Sequence, residues 1–332
     1  MIFSPSVLRY FWKADVTVCI PAYEAANFID RTLRCAQGQT YGRLRILVAV
    51  DKSKDETATI CRRFHKEDHR IEVVQHQERL GWCGNVNSLL ERAETRFFFL
   101  YFHDDLILPQ YCEELRRALL RRSDAASAHC DVLEFGMSDA VRRGRTYEGS
   151  VAERLLMHWV AQHRGSLLRS MVRREMITSD FRLPPEDVNG FTPGHPLQMR
   201  MVAAGAAIRV PKTLYLRWIR KGGVTDRWKT LSYEEMLRGR QKDLAQTFVL
   251  IDQLVAGPDD RQVLKLALAL YALRKLARMC RNEGRALPRV TDLHPDAPNL
   301  ELPKDVERFG PEITRRLGAA LAKLTPEAKQ VA

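Results

Sequence analysis

The amino-acid sequence predicts a doubly wound α/β sheet, on three observations. Apolar, strand-like runs alternate with helical periodicities four times in about a hundred residues from Val16 onward, the pattern of a sheet with helices on both faces. The run Phe97-Phe98-Phe99-Leu100-Tyr101-Phe102 is continuously aromatic or aliphatic. It suits a strand covered on both faces and is too short for a solitary helix. Two of the runs also stop on carboxylates, one on Asp51 and the other on His103-Asp104-Asp105. In open parallel sheets ligands bind beyond the carboxyl ends of the strands, so these acids stand where a site belongs.

Taken in order, Val16–Pro21 reads as the first strand, closed by Pro21. After the loop Tyr23–Asn27, helical spacing recurs at Phe28, Ile29, Leu33 and Ala36, with Asn27 as the candidate N-cap. Arg45–Val50 is the second strand and leads into Asp51. A helix through Ile60 and Phe64, a third strand Ile71–Val74, a loop Gly81–Asn85 and a helix Val86–Ala93 precede the Phe97 strand. Beyond it come a helix from Tyr111, a strand Ala125–Phe135, a polar connection Ala140–Glu148 and a helix through Leu155–Trp159. Gly165–Arg173 reads as a strand, Leu197–Ala204 as a helix, and Ala207–Trp218 as a closing strand pair. From Ser232 the periodicity is helical, broken at Gly257-Pro258.

Two adjacent carboxylates repel, and a divalent cation relieves that repulsion while bridging to phosphate oxygens. The plainer alternative makes His103-Asp104-Asp105 an ordinary strand-to-helix turn, with Asp105 near a helix N-terminus. Charge favours an anionic partner: 53 Lys and Arg stand against 41 Asp and Glu, a net +12. No basic block is interleaved with aromatic residues, so nucleic acid is not expected. Seven cysteines, an odd number without a Cys-x-x-Cys pair, fit buried free thiols in a reducing compartment. Met1–Ala14 lacks the apolar stretch of a signal peptide, and no window reaches the ~20 apolar residues of a membrane span. The expectation is a cytoplasmic protein, soluble or peripheral at the inner face of the membrane.

The motifs in sequence are Val16-Thr17-Val18-Cys19-Ile20-Pro21-Ala22-Tyr23-Glu24, then Gln39-Thr40-Tyr41, then Val50-Asp51-Lys52-Ser53-Lys54-Asp55-Glu56-Thr57, then His103-Asp104-Asp105. Their order and spacing resemble a family 2 glycosyltransferase of the GT-A fold over residues 16 to about 135, more weakly to about 225. The resemblance implies a mixed sheet flanked by helices and transfer of a sugar from a nucleotide diphosphate donor, a UDP-sugar first, with inversion. It implies an acceptor that is a glycan, a lipid-linked glycan or a small molecule, and Mg²⁺ or Mn²⁺ as cofactor. Pro21, Ala22, Tyr23 and Glu24 would line the nucleotide pocket, with Asp51 accepting a hydrogen bond from the base. Asp104 would contact ribose, and Asp105, at a solvent-facing strand end, would be the direct metal ligand. His103 is a second candidate ligand or a simple cap of the strand.

The resemblance also assigns the general base to Asp187, with Glu186 in reserve, on the rigid approach Pro184-Pro185; capping of the following helix stays open for Asp187. His195, in the stretch before the Leu197 helix, is a candidate acceptor contact. Where the family usually ends Arg-x-His-x-x-Ser-x-Thr, this chain has Trp218, Arg220, Gly223 and Thr225, so Arg220 and Lys221 become candidate diphosphate contacts. The implied division is a catalytic domain over residues 1–230, with a nucleotide-sugar half 14–135 and an acceptor half 136–230, then a helical region 231–332. The long helix Gln262–Arg281 could pack internally, pair two copies, or lie on an anionic membrane. A nucleotidyltransferase would want a Gly-rich phosphate loop after the first strand, and Pro21–Ala26 supplies none. A degenerate, non-catalytic scaffold is the other alternative, motivated by Val50, Lys52 and Arg220.

Overall fold

In the computed structural model, residues 13–161, 167–185, 194–303 and 305–328 are described. The chain divides into two compact units. The first comprises Met1–Thr146, Arg164–Glu186 and Ala207–Lys221; the second comprises Tyr147–His163, Asp187–Ala206 and Gly222–Ala332.

The first unit holds one mixed sheet. Its strands are β1 (Val16–Ala22), β2 (Leu44–Val50), β3 (Ile71–Gln75), β4 (Phe97–Leu100), β5 (Leu106–Ile107), β6 (Ala125–Gly136), β7 (Ala140–Arg142), β8 (Met171–Arg173) and β9 (Ala206–Ile219). They run in the order β3-β2-β1-β4-β8-β6-β9-β5, with β7 beside β6. The first four pair in parallel, and β4 with β8, β6 with β8, and β5 with β9 are antiparallel. Every residue of β1 and β4 is buried, which is why their sequences are unbroken apolar runs instead of alternating ones. The polar exception in β1, Thr17, shares a 2.6 Å hydroxyl hydrogen bond with Thr95. Helices α1 (Ile29–Gln37), α2 (Thr57–Glu67), α3 (Gly81–Arg92) and α4 (Tyr111–Arg121) complete the unit. Ala22 is in register with Val50, so Tyr23 and Asp51 leave the sheet side by side.

Several elements differ from the sequence expectation; the connection Ala140–Glu148 contains β7, and the expected strand Gly165–Arg173 is, from Leu167 onward, a 3₁₀ turn Leu167–Arg169 followed by the short β8. Phe28, not Asn27, stands at the N-cap of α1, and no side chain caps the helix. The loop expected over Gly81–Asn85 is the first turn of α3. Asp51 fixes its start by accepting the Leu80 N–H at 2.9 Å, a constraint from another strand that two glycines in a local window hide. The expected closing strand pair is one 14-residue strand, β9. Pro211 does not split it, and on the β5 side, where pairing is confined to Tyr215 and Leu216, it costs no ladder bond.

Asn85 on α3 ties the ends of β1 and β2 together. Its buried Nδ2 donates to the carbonyls of Ala49 at 3.0 Å and Ala22 at 3.3 Å. Asn85→Ala is expected to cost about 1–3 kcal/mol, measurable as a lower urea midpoint at unchanged slope; an unchanged midpoint would show the tie to be idle.

The second unit is helical: α5 (Val151–Ala161), α6 (His195–Ala204), α7 (Tyr233–Leu254), α8 (Pro258–Glu283) and α9 (Pro311–Ala328), with short helical turns between. Ser232 and Glu235 form a capping box at the start of α7. Pro258 opens α8, and Gly284, at φ 65°, ends it in the left-handed region. The apolar stripe of α8, including Leu264, Leu268, Leu273 and Leu276, is buried. None of the seven cysteines is in a disulfide, and six are buried. Among the described residues no helix is long and apolar enough to cross a membrane.

Candidate active site

Asp51 is 1% exposed, and its partners explain how a carboxylate survives there. Oδ1 accepts the backbone N–H groups of Lys52 and Leu80, both at 2.9 Å. Oδ2 accepts Arg79 Nη1 at 2.6 Å. A carboxylate has about four acceptor positions, so Oδ2 keeps one for a further donor. The Arg79 guanidinium lies 3.3 Å from the centre of the Tyr23 ring. The Tyr23 hydroxyl donates to Glu24 at 3.0 Å, and that bond is the first cause of its raised pKa. Glu24 is the one non-glycine residue with positive φ, 44°, among the described residues, and its N–H donates to Ser53 Oγ at 3.0 Å. Such a conformation persists only where surrounding bonds hold it, here the bond to Ser53.

The end of β4 carries the second cluster. His103 is half-buried, and its Nδ1 hydrogen-bonds the Pro21 carbonyl at 3.0 Å, joining the two strand ends. Asp104 is half-buried and paired with Arg220 Nε at 3.2 Å. Arg220 in turn lies 4.7 Å over the Phe28 ring. Lys221 beside it is exposed.

Asp105 is not at a solvent-facing strand end. It is 2% exposed, and both of its oxygens are taken. Oδ2 accepts Arg169 Nη2 and the Tyr215 hydroxyl, each at 2.9 Å, and Oδ1 accepts the Trp218 N–H at 3.0 Å. Burial pushes the Asp105 carboxyl above its ordinary range, and Arg169 and Tyr215 pull it back. Burial opposes the charge on Arg169 as well, but Asp105 more than reverses it and holds the guanidinium charged. This arrangement locks β4, β9 and the 3₁₀ turn Leu167–Arg169 to one another. Burial keeps it from facing outward, although Oδ1, which accepts the Trp218 N–H, retains an acceptor position.

The accessible oxygen donors at this strand end are therefore those of Asp104. Among the described residues no three His, Cys, Asp or Glu side chains come together as a metal cage. One carboxylate beside an imidazole fits Mg²⁺ or Mn²⁺ only as an ion that takes its remaining ligands from phosphate and water, a common mode for Mg²⁺.

Of the other expected site residues, Glu186 and Asp187 lie outside the described residues. His195 is in the second unit, where its Nδ1 meets Asp243 at 2.9 Å. The structure thus brings together Pro21, Ala22, Tyr23, Glu24 and Asp51, and separately His103, Asp104 and Arg220. Sequence reasoning missed Arg79, Arg169 and Tyr215. Arg169 left a signal: a lone cation inside Leu167-Leu168-Arg169-Ser170-Met171 needs a buried partner. Arg79 left none, since it sits in a polar loop like any other arginine.

A parallel half-sheet whose carboxyl ends carry Tyr23, Asp51 and Asp104, extended by antiparallel strands, defines a GT-A-type fold. Residues 17–171 match the family model described as Glycosyl transferase family 2. A putative teichuronic acid biosynthesis glycosyltransferase of Bacillus subtilis is 31% identical over 116 residues, 35% of this chain and 46% of that relative. A putative glycosyltransferase of the same organism, EpsH, is 30% identical over 102 residues, 31% of this chain and 29% of the relative. The matches thus span less than half of these relatives. The S. aureus TarS structure in complex with UDP-GlcNAc superposes with a TM-score of 0.65 at 16% identity, over 94% of this chain and 85% of that one. A Pyrobaculum calidifontis mannosyltransferase in complex with GDP-Man and Mn²⁺ gives 0.53 at 19% identity, over 94% and 87%. Over residues 17–171 the chain is thus similar to the family 2 glycosyltransferases.

Proposed function

We propose that this protein is an inverting glycosyltransferase that moves a sugar from a UDP-sugar to an acceptor hydroxyl in the synthesis of a cell-surface polysaccharide or glycoconjugate. The observation that carries the reading is the pairing of Tyr23 and Asp51 at adjacent strand ends, with one acceptor position of Asp51 left for a base N–H. The base would stack on the Tyr23 and Arg79 planes. UDP-GlcNAc in the TarS neighbour and the teichuronic acid named for the Bacillus relative support the donor and the surface-polymer setting. In this reading Asp104, not Asp105, is the residue that would hold a divalent cation, which when bound neutralises charge on the departing diphosphate. Arg220 and Lys221 would contact the diphosphate, Asp187 would take the acceptor proton, and His195 would contact the acceptor. Residues 1–230 would carry catalysis, with 231–332 as a helical region for peripheral membrane contact or pairing of two copies.

Thermal shift tests the reading. UDP with Mn²⁺ at about 100 times Kd should stabilise the protein by ~2.7 kcal/mol, more than UDP or Mn²⁺ alone. Asp104→Asn should keep the ligand-free Tm and lose the Mn²⁺-dependent increment; an increment equal to wild type would remove Asp104 from the metal. The Arg220–Asp104 pair favours one second reading, a nucleotide-binding scaffold whose cation is the arginine itself. That scaffold would bind UDP with no Mn²⁺ increment and hydrolyse none of the UDP-, GDP- or dTDP-sugars in a donor screen.

A further inference from the structure

Arg31, on the first turn of α1, makes no ion pair among the described residues. Its guanidinium lies 4.3 Å from the centre of the Trp218 ring and 5.7 Å from that of Phe28. Nε and Nη2 are both shut off from solvent and hydrogen-bonded to nothing. The acid next to it in sequence, Asp30, is committed to Arg34 at 2.7 Å and Arg63 at 2.6 Å.

The rings that hold Arg31 are themselves fixed. Phe28 meets Trp218 edge-on at 5.5 Å, and Phe135 stacks on Trp218 at 6.2 Å. The Trp218 backbone N–H is tied to Asp105. Gly136, at φ 93°, lets β6 pass close to Trp218: a Cβ there would fall 2.8 Å from the indole. Arg220 sits over the same Phe28 ring. The patch therefore carries two guanidinium groups against one carboxylate, Asp104, which Arg220 already engages.

A guanidinium is always charged, and its N–H donors match the geometry of a phosphate or carboxylate edge. Donors shielded from water and left unbonded are costly, so an acceptor is missing from the arrangement. Stacking on Trp218 holds the group in place but occupies only its face and leaves the N–H edge unused. We propose that Arg31, stacked on Trp218 and Phe28 beside Arg220, is an oxyanion-binding residue that takes a phosphate oxygen of the substrate. This rests on the nucleotide-sugar reading above for its source, the donor diphosphate; a phosphate on the acceptor has the same chemistry. Within the family resemblance Arg220 and Lys221 were the diphosphate candidates, and Arg31 is additional to them.

Titration calorimetry at low salt separates the possibilities, with inorganic pyrophosphate, UDP, uridine and glycerol 3-phosphate as ligands. Arg31→Gln should weaken pyrophosphate and UDP by roughly tenfold or more, the loss of one charge-assisted hydrogen bond, and leave uridine unchanged. Arg31→Lys, which keeps the charge and loses the fork, should fall between. A loss confined to glycerol 3-phosphate supports the oxyanion site and moves its source to the acceptor. If wild type binds pyrophosphate in an Arg31-dependent way but binds no uridine, the oxyanion site stands and the nucleotide reading falls. Unchanged pyrophosphate, UDP and glycerol 3-phosphate affinities in Arg31→Gln, or a parallel loss of uridine, would overturn the proposal.

Discussion

Asp105→Ala should lose about 3–5 kcal/mol of stability, a fall in Tm of roughly 4–7 °C for 332 residues at about 2.1 cal/mol/K each. The substitution takes the carboxylate partner from the buried Arg169 charge, which also lies over the rings of Phe102 and Tyr215 at 4.7 and 5.2 Å. It also frees the buried Tyr215 hydroxyl and the Trp218 N–H that the carboxylate satisfied. Removing one member of a buried pair is far costlier than replacing both, so Asp105→Leu with Arg169→Met should recover part of the loss. Differential scanning fluorimetry without ligand reads this directly. A Tm within about 2 °C of wild type for Asp105→Ala would mean the buried network contributes little. The distinction matters for function, because a conventional test of the acidic pair would replace both aspartates and read any lost activity as lost metal. Here Asp105→Ala should lose activity by loosening β4 and β9, while Asp104→Asn should lose it with the fold intact.

Much of the first unit was legible because its strands are buried on both faces and the helices between them keep a regular period. Val16–Pro21 and Arg45–Val50 lie within strands of the sheet, and the Phe97 run holds β4 in its first four residues, Phe97–Leu100. Asp51 was recognisable because it closes a strand. The acidic pair was legible as a place but not as two different environments. Asp104 lies in the turn after β4 and Asp105 directly before β5, so the two adjacent acids enter different surroundings. Those of Asp105 depend on Arg169 and Tyr215, which are 64 and 110 residues away in sequence. The same limit hid Arg79 and Arg31, whose neighbours Tyr23 and Trp218 come from other elements. Local windows also misread the start of α3, where the bond that decides the matter comes from Asp51.

Asp187→Asn should lower turnover by ~10²-fold or more while leaving donor affinity near normal. A general base acts on the acceptor proton in the transition state and contributes little to donor binding. Asparagine keeps the shape and most hydrogen bonds but cannot take the proton. Asp187 itself lies outside the described residues, so its role stands on the sequence: a carboxylate pair directly after Pro184-Pro185. The chain just before those prolines is held firmly. Leu183 N–H donates to Asn87 Oδ1 at 2.8 Å, its carbonyl accepts Asn87 Nδ2 at 2.9 Å, and Phe181 packs edge-on against Phe98 at 6.1 Å. The readouts are UDP release from whichever donor sugar the hydrolysis screen identifies, and the donor Kd by titration calorimetry. Glu186→Gln should be much milder, and the reverse ranking would move the base to Glu186. Asn87→Ala should fall between, because releasing the anchor misplaces the base without removing it. If Asp187→Asn and Glu186→Gln both turn over near the wild-type rate, neither is the base, and the acceptor proton leaves through another group.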